Sequence, residues 1–114
     1  MLKKINIITK KKEINRIFKN GKSSFDKIIG IKALDNDLKM NRFVIIIGSK
    51  VSKKAVVRNK IKRKVRSILS SEKNKIKIKQ DCVIIVLPEI IKSDYKEIEK
   101  SIIQHFNKLG LSPN

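Results

Sequence analysis

Apolar residues recur along this chain at different spacings, and each spacing predicts a different element. Ile14, Ile17 and Phe18 stand three and four residues apart, the period of a helix, which Asn20-Gly21 stops. With Thr9 as its expected N-cap, this predicts a helix over residues 9–20. Residues 25–34, Phe25 to Leu34, read as a strand, Asp35-Asn36-Asp37 as a turn, and Arg42 to Gly48 as a second strand around the run Phe43–Ile47. The short connection between these two strands predicts a hairpin. Val57, Ile61, Val65 and Ile68 then make one apolar stripe at helical spacing, giving a helix from about Ser52 to Leu69. Residues 70–80 are polar and lysine-rich and read as a loop. Cys82 to Leu87 is a continuous apolar run ended by Pro88, the mark of a buried strand. Asp94 with Glu97 three residues later forms a capping-box start. Tyr95, Ile98, Ile102, Phe106 and Leu109 follow as the stripe of a last helix, which Gly110 ends. The order α-β-β-α-β-α predicts an α+β sandwich, one mixed sheet with helices packed on it. The 114 residues suit a single domain over 1–114, with no visible linker or repeat.

Charge changes this picture from a fold into a binding protein. Lys and Arg number 29 against 10 Asp and Glu, a net +19. Such a chain repels itself when alone and is expected to meet a polyanion. Nucleic acid is the first candidate and an anionic membrane the second, yet no apolar run nears the roughly 18 residues of a membrane-spanning helix. The N-terminus, Met1 to Ile8, is basic but has neither the apolar core nor the cleavage site of a signal peptide. With a single cysteine, Cys82, there is no internal disulfide, and the expected compartment is the cytoplasm. Lys, Ile and Asn are abundant throughout, so the bare charge could reflect codon bias.

The distribution of charge argues for more than bias. From Lys50 to Arg66 there are nine basic residues and no acid, whereas Lys92 to Lys108 carries four basic and three acidic residues. At about 100° per residue, Arg58, Lys62 and Arg66 align at i, i+4, i+8, with Asn59 and Arg63 beside them. They border the Val57/Ile61/Val65 stripe, so one face of the helix can be buried while the other meets phosphates. The chain uses Lys 24 times and Arg five times, and three of the five arginines, Arg58, Arg63 and Arg66, fall within nine residues. Lysine bias cannot produce that cluster. Arginine is the residue for planar, bidentate contact with phosphate or a base edge, and the Asn59 amide both donates and accepts. A merely solvated helix would gain from Glu–Lys pairs four residues apart, and this one has none.

These residues carry a family resemblance. Ser49-Lys50 followed by Lys54-Ala55-Val56-Val57-Arg58-Asn59-Lys60-Ile61-Lys62-Arg63-Lys64-Val65-Arg66 resembles the signature helix of the protein subunit of bacterial ribonuclease P, whose hallmark is Arg-Asn-x-x-Lys-Arg after Ala-Val. Ile17-Phe18-Lys19-Asn20-Gly21 resembles that family's first helix ending in Phe-x-x-Gly. The strand from Asp81 and the helix from Tyr95 also fall where the family has them. The resemblance implies a protein that binds a large catalytic RNA and the precursor-tRNA 5′ leader. The RNA, with bound Mg²⁺, removes the leader, so no protein side chain is expected to be catalytic or to ligate metal. No further protein partner is required. Carried over by position, Ser49, Lys50, Lys54, Arg58, Asn59, Lys62, Arg63 and Arg66 are the contacts to the catalytic RNA. Ile14, Phe18 and Lys32 are the candidates for a leader-binding cleft. Where the family often has a second basic residue after the serine and a glycine before the helix, this chain has Val51 and Lys53. The family's further aromatics on the first helix and first strand are replaced by Ile14 and Lys32, which implies leader binding that relies less on stacking and more on charge.

The remaining chemistry is sparse. His105, the only histidine, is expected to pack at the edge of the last helix's apolar face, and Cys82 to lie in the core. Asp35 and Asp37 are expected to make a turn rather than a cation site. Four Phe and one Tyr do not make a multi-aromatic platform. One histidine and ten scattered acids do not furnish a self-sufficient nuclease. The alternative from a different class is a structural RNA-binding protein of the ribosomal type.

Overall fold

The structure is a computed structural model that describes residues 7–38, 40–73, 75–76 and 79–111. Of the basic N-terminus discussed above, residues 1–6 lie outside the described residues, as do residues 74, 77 and 78 of the expected 70–80 loop. The elements are α1 (Lys11–Asn20), β1 (Lys22–Phe25), β2 (Ile29–Asp35), β3 (Arg42–Ile46), α2 (Ala55–Glu72), β4 (Gln80–Val86) and α3 (Tyr95–Lys108), with a 3-10 turn over Pro88–Lys92 before α3. The strands form one mixed sheet in the order β1-β2-β4-β3. β2 is antiparallel to both β1 and β4, and β3 runs parallel to β4. The α+β class holds, but two details of the strand reading do not.

The run expected as one strand over 25–34 is a hairpin of two. Asp26 turns the chain: its Oδ1 accepts from the backbone N–H of Ile28 at 2.8 Å and of Ile29 at 2.9 Å, a side-chain mimic of a backbone turn. The hairpin expected between the residue 25–34 strand and the residue 42–48 strand does not form. β4 lies between them, pairing Ile31 with Ile84 on one side and Ile45 with Ile84 on the other. The most continuous apolar strand takes the centre because both its faces can be buried there. β3 then reaches it through the α2 crossover that parallel pairing demands.

The helices show smaller shifts. Thr9 does not cap α1; Lys10 precedes it without a side-chain cap, and its carbonyl accepts from Glu13 and Ile14 N–H. The entry is held instead by Ile8, buried just upstream. α2 begins at Ala55, because Ser52 Oγ accepts from Lys54 N–H in a turn ahead of it. It runs on to Glu72, because Leu69 and Glu72 extend the buried stripe of Ile61, Val65 and Ile68. The Asp94–Glu97 capping box on α3 forms in both directions. Gly110, at φ +73°, follows the end of α3.

The sheet is covered on both faces. On one face α2 and α3 pack Ile61, Val65, Ile68, Ile98, Ile102 and Phe106 onto Ile29, Ile31, Phe43, Cys82, Ile84 and Val86. Val51, which stands where the family has a basic residue, is buried in this core. Cys82 is fully buried there, and burial pushes its thiol far up. On the other face α1 lays Ile17 on Val83 with Ile8, flanked by Ile14, Leu34, Val44 and Ile85. α1 covers only part of that face. Gly21 lets it end close against β2, since a Cβ there would lie 2.6 Å from the Ile17 carbonyl oxygen and 2.9 Å from that of Ala33.

Candidate nucleic-acid interface

The basic run folds into a solvent-facing flank of α2. Ser49 and Lys50 are exposed in the turn that Val51 N–H closes onto the Gly48 carbonyl, and Lys54 is exposed just before the helix. Asn59, Arg63 and Arg66 are exposed on α2 itself, while Arg58 and Lys62 are half-buried. The structure thus gathers the eight residues expected to meet RNA along one helix and its entrance. Arg58 carries a structural duty as well: its Nη1 donates to the Ser52 carbonyl at 2.7 Å, bracing the turn into the helix. Lys62 and Arg66 reach back toward the edge of β3, where they line a shallow hollow with Ile7, Phe43, Val44 and Ile45.

The three cleft candidates meet on the α1 side of the sheet. Lys32 Nζ stands 5.2 Å from the centroid of the Phe18 ring and donates to the Phe18 carbonyl at 3.4 Å. That ring is 39% exposed. A cation over an aromatic face is favourable, and the pair presents a charged, stackable surface. Ile14 contributes from below, packed into the smaller core. Sequence reasoning missed a fourth member, Phe25, which is 50% exposed. In the β1–β2 register Phe25 pairs with Gly30 and Ser23 with Lys32, so Phe25 and Lys32 share a face. Gly30 makes room for the ring, because a Cβ there would fall 2.1 Å from it. Phe18 is therefore not the only exposed ring on this face among the described residues. The missed signal was Asp26, whose turn chemistry makes Phe25 the end of a strand rather than its beginning.

The titratable clusters elsewhere are structural. Arg42 on β3 donates to Asp81 Oδ2 on β4 at 2.7 Å and to Glu13 Oε2 on α1 at 2.6 Å, joining both strands to the helix. Hydrogen bonds to Asp81 and Glu13 raise the Arg42 pKa still further, and the Arg42 bond holds the Glu13 carboxyl below its ordinary range. Asp35, expected in a turn, instead closes β2 opposite Gln80 and accepts from its Nε2, and the chain bends beyond it at Asp37. Among the described residues no three His, Cys, Asp or Glu side chains come together as a metal-holding set.

His105 packs where its apolar face meets the sheet and is 1% exposed. Its Nδ1 lies 2.7 Å from Ser24 Oγ and its Nε2 3.1 Å from Asp26 Oδ2. Nδ1 and the Ser24 hydroxyl share a hydrogen bond, while Nε2 stands near the Asp26 carboxylate without forming one. Ser101 Oγ also donates to Asp26. A hydroxyl, an imidazole and a carboxylate in line would suggest a nucleophile, but burial of the ring denies it a substrate. The cluster ties the β1–β2 hairpin to α3. Burial pushes the Asp26 carboxyl up, but hydrogen bonds from Ser101 and from the Ile29 and Ile28 N–H groups, with the nearby His105, bring it below its ordinary value. A depressed carboxylate stabilises the fold above the unfolded-state pKa of about 4 and loses that contribution as pH falls through its folded value. Asp26→Asn should therefore be less stable than the parent at pH 7, with the gap closing below about pH 4. Thermal melts across that range check this, and a gap constant with pH would disprove the ionic role of Asp26.

Fold and surface together define a class: a small basic α+β protein whose exposed arginine-bearing helix flank and aromatic-cationic sheet face suit a polyanion. Comparison with known proteins specifies it. The Ribonuclease P family model matches residues 2–110. The chain is similar to the ribonuclease P protein component of Bacillus cereus strain B4264, 36% identical over 113 residues covering 96% of each chain. It is similar to that of Syntrophomonas wolfei, 34% identical over 111 residues covering 97% of this chain and 92% of the other. Among solved structures it resembles a Staphylococcus aureus RNase P protein mutant with a TM-score of 0.87, at 25% identity, covering 95% of this chain and 91% of that one. The chain belongs to the ribonuclease P protein family. It is the protein part of an endoribonuclease that works with an RNA partner in the maturation of tRNA 5′ ends.

Proposed function

We propose that the two surfaces divide the work: the flank of α2 docks the catalytic RNA, and the cleft beside α1 holds the single-stranded 5′ leader of precursor tRNA. The observation that carries this is their difference in chemistry. The α2 flank offers arginines and an amide with no aromatic group among them, suited to phosphates and base edges of folded RNA. The α1 side offers Phe18 and Phe25 with Lys32, suited to unpaired bases that stack. The Mg²⁺ that serves hydrolysis is assigned to the RNA, a reading supported by the fact that among the described residues no three His, Cys, Asp or Glu side chains converge. Among the described residues no helix is long and apolar enough to cross a membrane, and a cytoplasmic site of action fits an enzyme of precursor tRNA.

Reconstitution tests both halves. Mixed with ribonuclease P RNA at low Mg²⁺, the protein should raise cleavage of precursor tRNA; no stimulation at any Mg²⁺ concentration would refute the reading. Phe18→Ala with Phe25→Ala should weaken a substrate with a leader of several nucleotides by tenfold or more, at about 1–3 kcal/mol per stacked base. A substrate with a one-nucleotide leader should be spared. Equal losses on both substrates would remove the leader from this cleft.

A further inference from the structure

The hollow between α2 and the sheet edge has a feature that neither surface explains. β3 is an edge strand, and its outer side is only partly covered. Ile7 bridges Phe43 in parallel, and Ile8 N–H donates to the Phe43 carbonyl at 2.9 Å. The chain then leaves the edge, because Ile8 turns under α1 to join Ile17 and Val83. In a strand, the N–H and C=O of one residue point to the same side, and the next residue points them to the other. Phe43 directs its carbonyl outward to Ile8, so Ile45, two residues on, presents its own N–H and C=O to that same open side. Val44 and Ile46 turn theirs inward to β4. One donor and one acceptor of the main chain therefore stand at the hollow, which Ile7, Phe43 and Val44 also line, with Lys62 and Arg66 on its α2 wall.

We infer that this hollow is a subsite for one unpaired RNA nucleotide, whose base edge pairs with the Ile45 N–H and C=O and whose phosphate meets Lys62 and Arg66. Every nucleobase offers adjacent donor and acceptor groups on an edge, and half-buried Ile7 gives apolar support beside it. Two cations one helical turn apart supply the anion contact. Addition of a peptide strand is the competing occupant of an open edge, and the length of the edge disfavours it. Ile8 covers Phe43 and β3 ends at Ile46, so about one residue is free to pair. The subsite rests on the reading of α2 as an RNA-binding flank and adds to it a fixed point between that flank and the sheet.

The test is amide and arginine side-chain NMR on the full chain, titrated with each nucleoside 5′-monophosphate and, separately, with inorganic phosphate. At least one mononucleotide should shift the Ile45 amide together with Arg66 in a saturable way, while phosphate should shift Arg66 without Ile45. Lys62→Met with Arg66→Met should weaken that mononucleotide about tenfold, as loss of charge-assisted contacts implies. If phosphate reproduces the whole pattern, the hollow is an adventitious anion site only and the inference fails. It also fails if no mononucleotide moves Ile45, or if Ile45 shifts only as the protein self-associates through its strand edge. Binding of ribonuclease P RNA by the same sample separates the two levels. RNA binding with a silent Ile45 overturns the subsite alone, and loss of RNA binding overturns the flank as well.

Discussion

Arg42→Met should cost about 2–3 kcal/mol of folding stability, at or below the low end of what breaking a fully buried ion pair costs, because all three side chains keep some exposure. The Arg42 side chain is 15% exposed, Asp81 10% and Glu13 36%. Methionine preserves much of the stem's volume, so little of the loss comes from a cavity. What is lost is the neutralising partner of Asp81, which keeps the Asn36 Nδ2 donor at its Oδ1. For a chain of this size the melting temperature should fall by roughly 10 °C. Glu13→Gln should cost much less, since its carboxylate is the most solvated of the three and surface pairs contribute little. A loss below about 1 kcal/mol for Arg42→Met would mean that water already does what the guanidinium is credited with. The network matters for function because it fixes α1 against the sheet, and α1 carries Phe18 to the cleft.

Arg63→Ala combined with Arg66→Ala should produce the largest loss of RNA affinity at no cost in stability. Both side chains are exposed, and no hydrogen bond to either is seen among the described residues. Removing two phosphate contacts should flatten the log–log salt dependence by roughly 1.4–1.8 units, at about 0.7–0.9 per contact. The deficit should be greatest at low salt. Arg63→Lys separates charge from geometry: it keeps the slope while losing the bidentate fork. Arg58→Ala is a less clean probe, because it also frees the Ser52 carbonyl at the entrance of α2. Unchanged affinity and slope in the double variant would move the docking surface off this helix.

Much of this was legible along the chain because it is periodic. The stripe of α2, the capping box of α3 and the apolar run of β4 are local signals, and each stands where its spacing puts it. The arginine cluster was legible for a different reason: it departs from the chain's own preference for lysine. What escaped was non-local. Nothing in residues 25–48 announces that β4 will insert between the two strands, since strand neighbours are chosen by how well both faces can be buried. Phe25 escaped for a related reason: its exposure depends on a turn set by one Asp26 carboxylate and on the missing side chain of Gly30. The Arg42 network joins residues 13, 42 and 81, a union that spacing cannot reveal. The open edge at Ile45 is a property of main-chain direction, invisible to any pattern of side chains.

The central position of β4 has a consequence for how the protein is made. A ribosome delivers α1, the β1–β2 hairpin, β3 and the basic helix before it delivers residues 80–86. Until then β3 has no sheet partner except the Ile7 bridge, and α2 has only an incomplete sheet face on which to bury its stripe. Closure of the sheet waits for a strand encoded in the last third of the chain, so non-local pairing sets the pace of folding. A nascent chain or a truncation ending at Glu72 would carry every arginine of α2 and hold none of them in place. The order of synthesis separates the appearance of the α2 arginines from their alignment along one helix face, which waits for residues 80–86.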